Sequence, residues 1–285
     1  MRPISEQTIL ITGATDGLGL ALAIELASQG ATLLLHGRDD ARGEAAVTAI
    51  SDRTGGRRPR WYRADLTSLD EVRAMSERIV ESEERLDALV NNAGIGTTLP
   101  GDGQRMTSTD GHELRFAVNY LGPFLLSRSL APLLRSSAPA RIVNVTSAGQ
   151  APIDFDDVML ERGYSGSRAY CQSKLALVML TLDLAEELAV DGVTANALHP
   201  GTYMPTKMVR HAGRTPLTPL TEGVRATARL VAAPALDAVT GRYFEGTADA
   251  VALAQAYDQD ARARLRTLSE TLCEVAAARP TSEGV

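Results

Sequence analysis

The sequence predicts a doubly wound α/β architecture, with about seven parallel strands in one sheet and helices on both faces. Three observations lead there. Short, continuous apolar runs alternate with amphipathic stretches along most of the chain. The runs are apolar throughout, as strands buried on both faces are. A glycine-rich turn joins the first run to the first amphipathic stretch, the strand–turn–helix join of an open parallel sheet.

Each element follows in order. Gln7–Thr12 reads as a buried strand and Gly17–Gln29 as a helix. Ala31–Leu35 is the second strand, Asp39–Ser51 a polar, alanine-rich helix, and Pro59–Arg63 a third strand around Trp61. Ser68, with Glu71 three residues on, has the capping-box spacing and opens a helix to Glu81. Leu86–Val90 is the fourth strand, Asp110–Arg135 a long helical region, and Arg141–Thr146 the fifth strand. A helix from about Arg168 to Val190 leads to a sixth strand at Val193–Leu198, and a seventh lies near Arg242–Glu245. The arginine- and alanine-rich stretch Asp249 to Ala278 reads as an amphipathic helix covering the domain edge or a neighbour. No linker or repeat divides the chain. One domain, 1–285, is expected, with about 249–285 as a helical extension.

Composition narrows the function classes. Hydrophobic residues make up 44% and charged residues 22%, which is globular rather than disordered. A net charge of −6 argues against nucleic acid or an anionic membrane as partner. The two cysteines, Cys171 and Cys273, cannot build a disulfide framework or a zinc site. The four histidines are scattered without helical metal spacing, so no metal is expected. Met1 to Gln7 has no apolar leader, and no apolar run approaches the ~18 residues of a membrane span. A cytoplasmic protein is expected.

Three motifs carry chemistry. Gly13, Thr15, Asp16, Gly17, Leu18 and Gly19 form the turn between the first strand and helix; glycines leave backbone room for a pyrophosphate beside a helix N-terminus. Asn92, Ala93 and Gly94 end the fourth strand, where small residues and amides can lie under an adenine ring or simply form a polar strand-end turn. Tyr170 and Lys174 stand four apart on a helix, so phenol and ammonium share a face. A nearby cation favours phenolate and turns a weak acid–base group into a useful one. Of the 29 basic residues only two are lysine, Lys174 and Lys207, so this spacing is hard to meet by accident. Tyr203 and Lys207 repeat it, but Pro205 between them opposes the helix that would align them. The basic run Gly55–Arg60 precedes a strand, at the wrong end of the sheet, and reads as a solvated loop.

In this order the TGATDGLG, NNAG and YCQSK segments resemble the short-chain dehydrogenase/reductase family over nearly the whole chain. The resemblance implies a Rossmann-type fold. It implies that Asn119 helps hold a water for a proton relay to Lys174, and that Ser147 hydrogen-bonds the substrate oxygen. It also implies that Pro200, Gly201 and Thr202 face the nicotinamide and that Asp65, with Leu66, lies beside the adenine; Asp65 serves equally well as a turn former. The interval from Ser147 to Tyr170 is about ten residues longer than in compact members, as in the retinol-dehydrogenase-like and protochlorophyllide-reductase-like branches. Unlike the membrane-bound retinol dehydrogenases, no N-terminal anchor is expected here.

These readings make the chain an NAD(P)-dependent oxidoreductase. It would move a hydride between the nicotinamide and a carbonyl or secondary alcohol, with a lipophilic ketone or aldehyde the expected substrate. Tyr170 would be the acid/base and Lys174 would bind the nicotinamide ribose. The competing reading is a catalytically silent, NADP(H)-binding sensor or scaffold on the same fold. NADP(H) is favoured over NAD(H), because Gly37 and Arg38 stand where NAD-selective strands place a carboxylate, although Asp39 would reach the ribose if the strand ran one residue longer. The apolar content of Ala148–Ser167 suggests that it covers the substrate cleft, against the plainer reading of a surface excursion. The partner is a small molecule, and a homodimer or homotetramer is expected.

Overall fold

A computed structural model describes residues 1–99 and 104–277, with side chains to residue 273. Its centre is an eight-stranded sheet in the order β3-β2-β1-β4-β5-β6-β7-β8. The strands are β1 (Thr8–Ile11), β2 (Thr32–Gly37), β3 (Arg60–Arg63), β4 (Ala88–Asn91), β5 (Ala140–Val145), β6 (Val193–His199), β7 (Arg242–Glu245) and β8 (Ala248–Ala250). The first seven pair in parallel, as expected; β8 adds an antiparallel edge through Tyr243 opposite Ala250. The order reverses between β1 and β4, and the strand-end crevice at such a reversal is where open α/β sheets bind ligands.

Side-chain alternation explains why both faces are covered. In β1, Leu10 enters one core while Ile9 and Ile11 enter the other; in β2, Leu34 is divided from Leu33 and Leu35 in the same way. The second of these cores holds α1 (Gly17–Ser28), α2 (Asp40–Thr54) and α8 (Leu220–Ala232). The first holds α3 (Leu69–Ser82), α5 (Gly122–Ser136), α6 (Gly166–Leu188) and α9 (Gln259–Ala277). Among the described residues no helix is long and apolar enough to cross a membrane.

Several expectations need correction. The helical region expected at Asp110–Arg135 is present from Leu114 on, but it is not uniformly α-helical. A single turn, α4 (Leu114–Phe116), passes into a π-helical stretch at Ala117–Leu121 before α5 begins. Of the extension expected from Asp249, the described part is α-helical only over Gln259–Ala277, after β8 and a 3-10 turn at Ala254–Tyr257; residues 278–285 lie outside the described residues. The Ser68 capping box is half formed: its hydroxyl accepts from Glu71 N at 3.3 Å, but the Glu71 carboxylate turns to Asp65 N at 3.0 Å.

Candidate active site

The turn after β1 is shaped by close approach. Gly13 lies at φ +65°, and a Cβ there would fall 2.8 Å from the Ala93 Cα; one on Gly19 would fall 2.3 Å from the Gly13 carbonyl oxygen. Only glycine fits either place. The Thr12 hydroxyl accepts from Asn92 N at 2.9 Å and Ala93 N at 3.0 Å, and Asn92 Nδ2 donates to the Thr12 carbonyl at 2.8 Å. The glycine turn and the end of β4 are thus one unit. His36 completes it: its Nδ1 accepts from Gly13 N at 3.3 Å, while Nε2 faces the Ala64 carbonyl at 3.0 Å. Burial lowers this imidazole to about 4, so it is neutral.

Asp16 caps α1, accepting from Gly17 N at 2.7 Å. Burial raises its pKa, but Lys207 at 2.7 Å, the Gly17 N–H and Arg42 at 3.4 Å outweigh that and hold the carboxyl below its usual range. Leu18 is buried in the first turn of α1 and Thr15 lies half-buried beside Gly37. β2 ends at Gly37, leaving Arg38 exposed. Asp39 is the cap of α2, accepting from Arg42 N at 2.9 Å. Its carboxylate is therefore engaged in a helix cap. Asp65 closes a turn onto Thr67 N at 3.0 Å, and Leu66 is buried against α5 at Gly122.

Asn119, Ser147, Tyr170 and Lys174 converge from three elements. Asn119 lies in the π-helical stretch; its Oδ1 accepts from Ile95 N at 2.8 Å, and Nδ2 donates to the Ile95 carbonyl at 3.1 Å and to Ser173 Oγ at 3.0 Å. A Cβ on Gly94 would stand 3.1 Å from Asn119 Oδ1 and 3.4 Å from Lys174 Nζ, so amide and ammonium flank that glycine. Ser147 follows β5; its hydroxyl accepts from Gly149 N at 3.0 Å, and its carbonyl accepts from the Tyr243 hydroxyl at 3.2 Å. Lys174, on α6, is 4% exposed and donates to the Val145 carbonyl at 2.9 Å. Burial lowers its pKa to about 8.

The Lys174 ammonium stands 5.9 Å from the Tyr170 ring centre, the shared helix face that the spacing implies. Its electrostatic consequence differs from the expectation. Burial raises the phenol above its ordinary value; the hydrogen bond with the Ser147 hydroxyl opposes that rise and the neighbouring Cys171 adds to it. Tyr203 and Lys207 do not form such a pair. Tyr203 is exposed at φ +48°, and Lys207 points to Asp16. Pro200 and Gly201 follow β6, whereas the Thr202 hydroxyl meets His199 at 3.1 Å and its N–H reaches Thr218 at 3.0 Å. The threonine that touches the glycine turn is Thr206, whose methyl would lie 3.2 Å from a Cβ on Gly17. No spacing in the sequence distinguishes the two.

The segment Ala148–Ser167 is pinned on its inner side. Ile153, Val158 and Leu160 are buried, and Ile153 exchanges two hydrogen bonds with the Gln255 side chain. At its far end the Tyr164 hydroxyl accepts from Arg115 Nη1 at 2.6 Å and donates to Glu113 Oε1 at 3.1 Å. Arg115 also holds the Gly96 and Thr97 carbonyls, tying this segment to the loop after β4. Among the described residues no group of three or more metal-ligating side chains is placed to hold an ion.

The family model described as short chain dehydrogenase matches residues 7–216. Retinol dehydrogenase 13 of Homo sapiens is 38% identical over 280 residues, covering 92% of this chain and 83% of that protein. Retinol dehydrogenase 12 of Homo sapiens is 36% identical over 249 residues, with 84% and 77% covered. Among solved structures, an uncharacterised protein of Mycobacterium paratuberculosis superposes with a TM-score of 0.76 at 29% identity, covering 94% of each chain. A short chain dehydrogenase of Escherichia coli CFT073, complexed with NADPH, does so at 0.70 and 26% identity, covering 85% of this chain and 97% of that one. With its sheet order, its glycine turn and these likenesses, the chain belongs to the short-chain dehydrogenase/reductase family, and it is an NAD(P)-dependent oxidoreductase.

Proposed function

We propose that the protein is an NADP(H)-linked carbonyl reductase or alcohol dehydrogenase for lipophilic substrates, with Tyr170 as its acid/base. The observation that carries this reading is the convergence of Tyr170, Ser147, Lys174 and Asn119 near a glycine turn that packs tightly against the end of β4. The dinucleotide, when bound, supplies the hydride chemistry. Ser147 orients the substrate oxygen beside the phenol, and Tyr170 gives or takes its proton. Lys174 serves the ribose and, relieved of part of its desolvation by hydroxyl partners, favours the phenolate. Asn119 steadies the loop that flanks Lys174, at Ile95 and Gly94.

Two observations support NADP(H). Arg38 is exposed at the end of β2, free to grip a ribose phosphate, and the Asp39 carboxylate, engaged as a helix cap, offers less to ribose hydroxyls. The substrate class rests on the relatives that are retinol dehydrogenases, which makes retinaldehyde and other lipophilic aldehydes and ketones the first panel. The assay is cofactor consumption with that panel. NADPH should be consumed in preference to NADH, and Arg38→Ala should weaken NADPH by about 1.5–3 kcal/mol, the scale of a hydrogen bond to a charged group, while hardly moving NADH. Consumption of neither cofactor with any member would favour the silent-scaffold reading. A wild-type preference for NADH would remove Arg38 from this role.

A further inference from the structure

Lys207 is left over by the chemistry, yet it occupies a telling place. It opens the short helix α7 (Lys207–His211), whose neighbouring residues touch both sides of the strand-end crevice. The Thr206 methyl rests on the glycine turn at Gly17, and the Met208 Cγ would lie 2.6 Å from a Cβ on Gly96, in the loop after β4. Lys207 lies between these two residues in the chain, and its ammonium stands 2.7 Å from the Asp16 carboxylate that caps α1. The backbone leading to it is bent at Tyr203, at φ +48° without being glycine, and is held by Leu217 N on the Tyr203 carbonyl at 3.1 Å and Thr218 N on the Thr202 carbonyl at 3.0 Å. A conformation this costly persists because its surroundings fix it.

The ion pair itself contributes little to stability. Its side chains are 58% and 36% exposed, and such pairs exchange readily with water and other ions. A diphosphate held at the N-terminus of α1, where Asp16 caps the helix, would carry more negative charge than one carboxylate. We infer that Lys207 is a diphosphate ligand of the dinucleotide, delivered across the crevice by α7, and that Asp16 is the partner it gives up. This rests on the cofactor reading above. It assigns to the second lysine of the chain a grip on the cofactor and no part in proton transfer.

The test uses the full chain and the fluorescence of its single tryptophan, Trp61, which packs against Gly37 beside Arg38. The probes are NADPH and adenosine 2′,5′-bisphosphate, which has the ribose phosphate but no diphosphate bridge. Lys207→Met should weaken NADPH about tenfold, the low end for a hydrogen bond between charged groups, mainly through faster release. The loss should shrink at high salt, because the contact is exposed. The bisphosphate should bind as in wild type, and Lys207→Arg should recover most of the NADPH affinity. Asp16→Asn keeps the helix cap and should leave NADPH binding equal or tighter. Unchanged NADPH binding in Lys207→Met would overturn the proposal. So would equal weakening by Lys207→Met and Asp16→Asn, the pattern of a purely structural tie. A wild type that binds the bisphosphate but shows no NADPH response would instead sink the cofactor reading, and this inference with it.

Discussion

At position 36 a buried imidazole does work that a charged one could not. His36 must present a lone pair to Gly13 N while facing the Ala64 carbonyl, so a second proton would break the Gly13 contact and bury a charge. With its folded pKa near 4 against an ordinary 6.5, the unfolded chain binds a proton that the folded chain rejects. Stability is therefore full above pH 6.5 and is lost as pH falls towards 4, by on the order of 3 kcal/mol. Thermal melts across that window should show a shallower decline for His36→Gln than for wild type. Parallel declines would remove His36 as the source. Neither this role nor that of Lys207 was legible in the sequence, because each depends on a partner that only the fold brings near: Gly13 lies 23 positions before His36, and Asp16 far before Lys207. Tyr170 and Lys174 were legible because both lie on one helix, where spacing alone sets the shared face.

Elements differ in the same way. β1 and β2 were readable from the apolar runs Ile9–Ile11 and Leu33–Leu35 because both of their faces are buried, and length and flanking turns did the rest. β8 has three mostly exposed residues and offers no periodicity to read. The π-helical stretch was hidden for another reason: its composition suits an α-helix, and the register accompanies long-range bonds from Asn119 to the Ile95 backbone. Arg115 belongs to this scale. It is fully buried one turn before Asn119 and joins α4, the loop after β4 and the end of the Ala148–Ser167 segment through Tyr164. Arg115→Met should destabilise the fold by about 3–5 kcal/mol, as when one member of a buried charged pair is removed. Adding Glu113→Gln should recover part of that loss in urea denaturation, because the carboxylate left behind would no longer be charged. Strictly additive losses would show that the two side chains are not coupled across the 3.9 Å between them.

For the whole molecule, two cores flank one sheet, and the proposed reacting groups Ser147 and Tyr170 lie past the end of β5 and on α6. α9 seals part of one face: Leu265 is buried, the Tyr120 hydroxyl meets Ser269 Oγ at 2.8 Å, and Arg262 and Arg266 reach Asp183 on α6 at 3.2 and 3.4 Å. The packed scaffold thus holds α6, and with it Tyr170, against β5 and Ser147. That rigidity is what a proton-transfer geometry needs. Tyr170 as the proton carrier has a direct test in the turnover and NADPH affinity of Tyr170→Phe beside Tyr203→Phe. Losing the phenol at 170 should cut turnover by at least the ~10² typical of a lost acid–base group while NADPH affinity stays near wild type. Tyr203→Phe should leave the chemical step largely intact. An active Tyr170→Phe alongside an inactive Tyr203→Phe would rule out Tyr170 as the proton carrier.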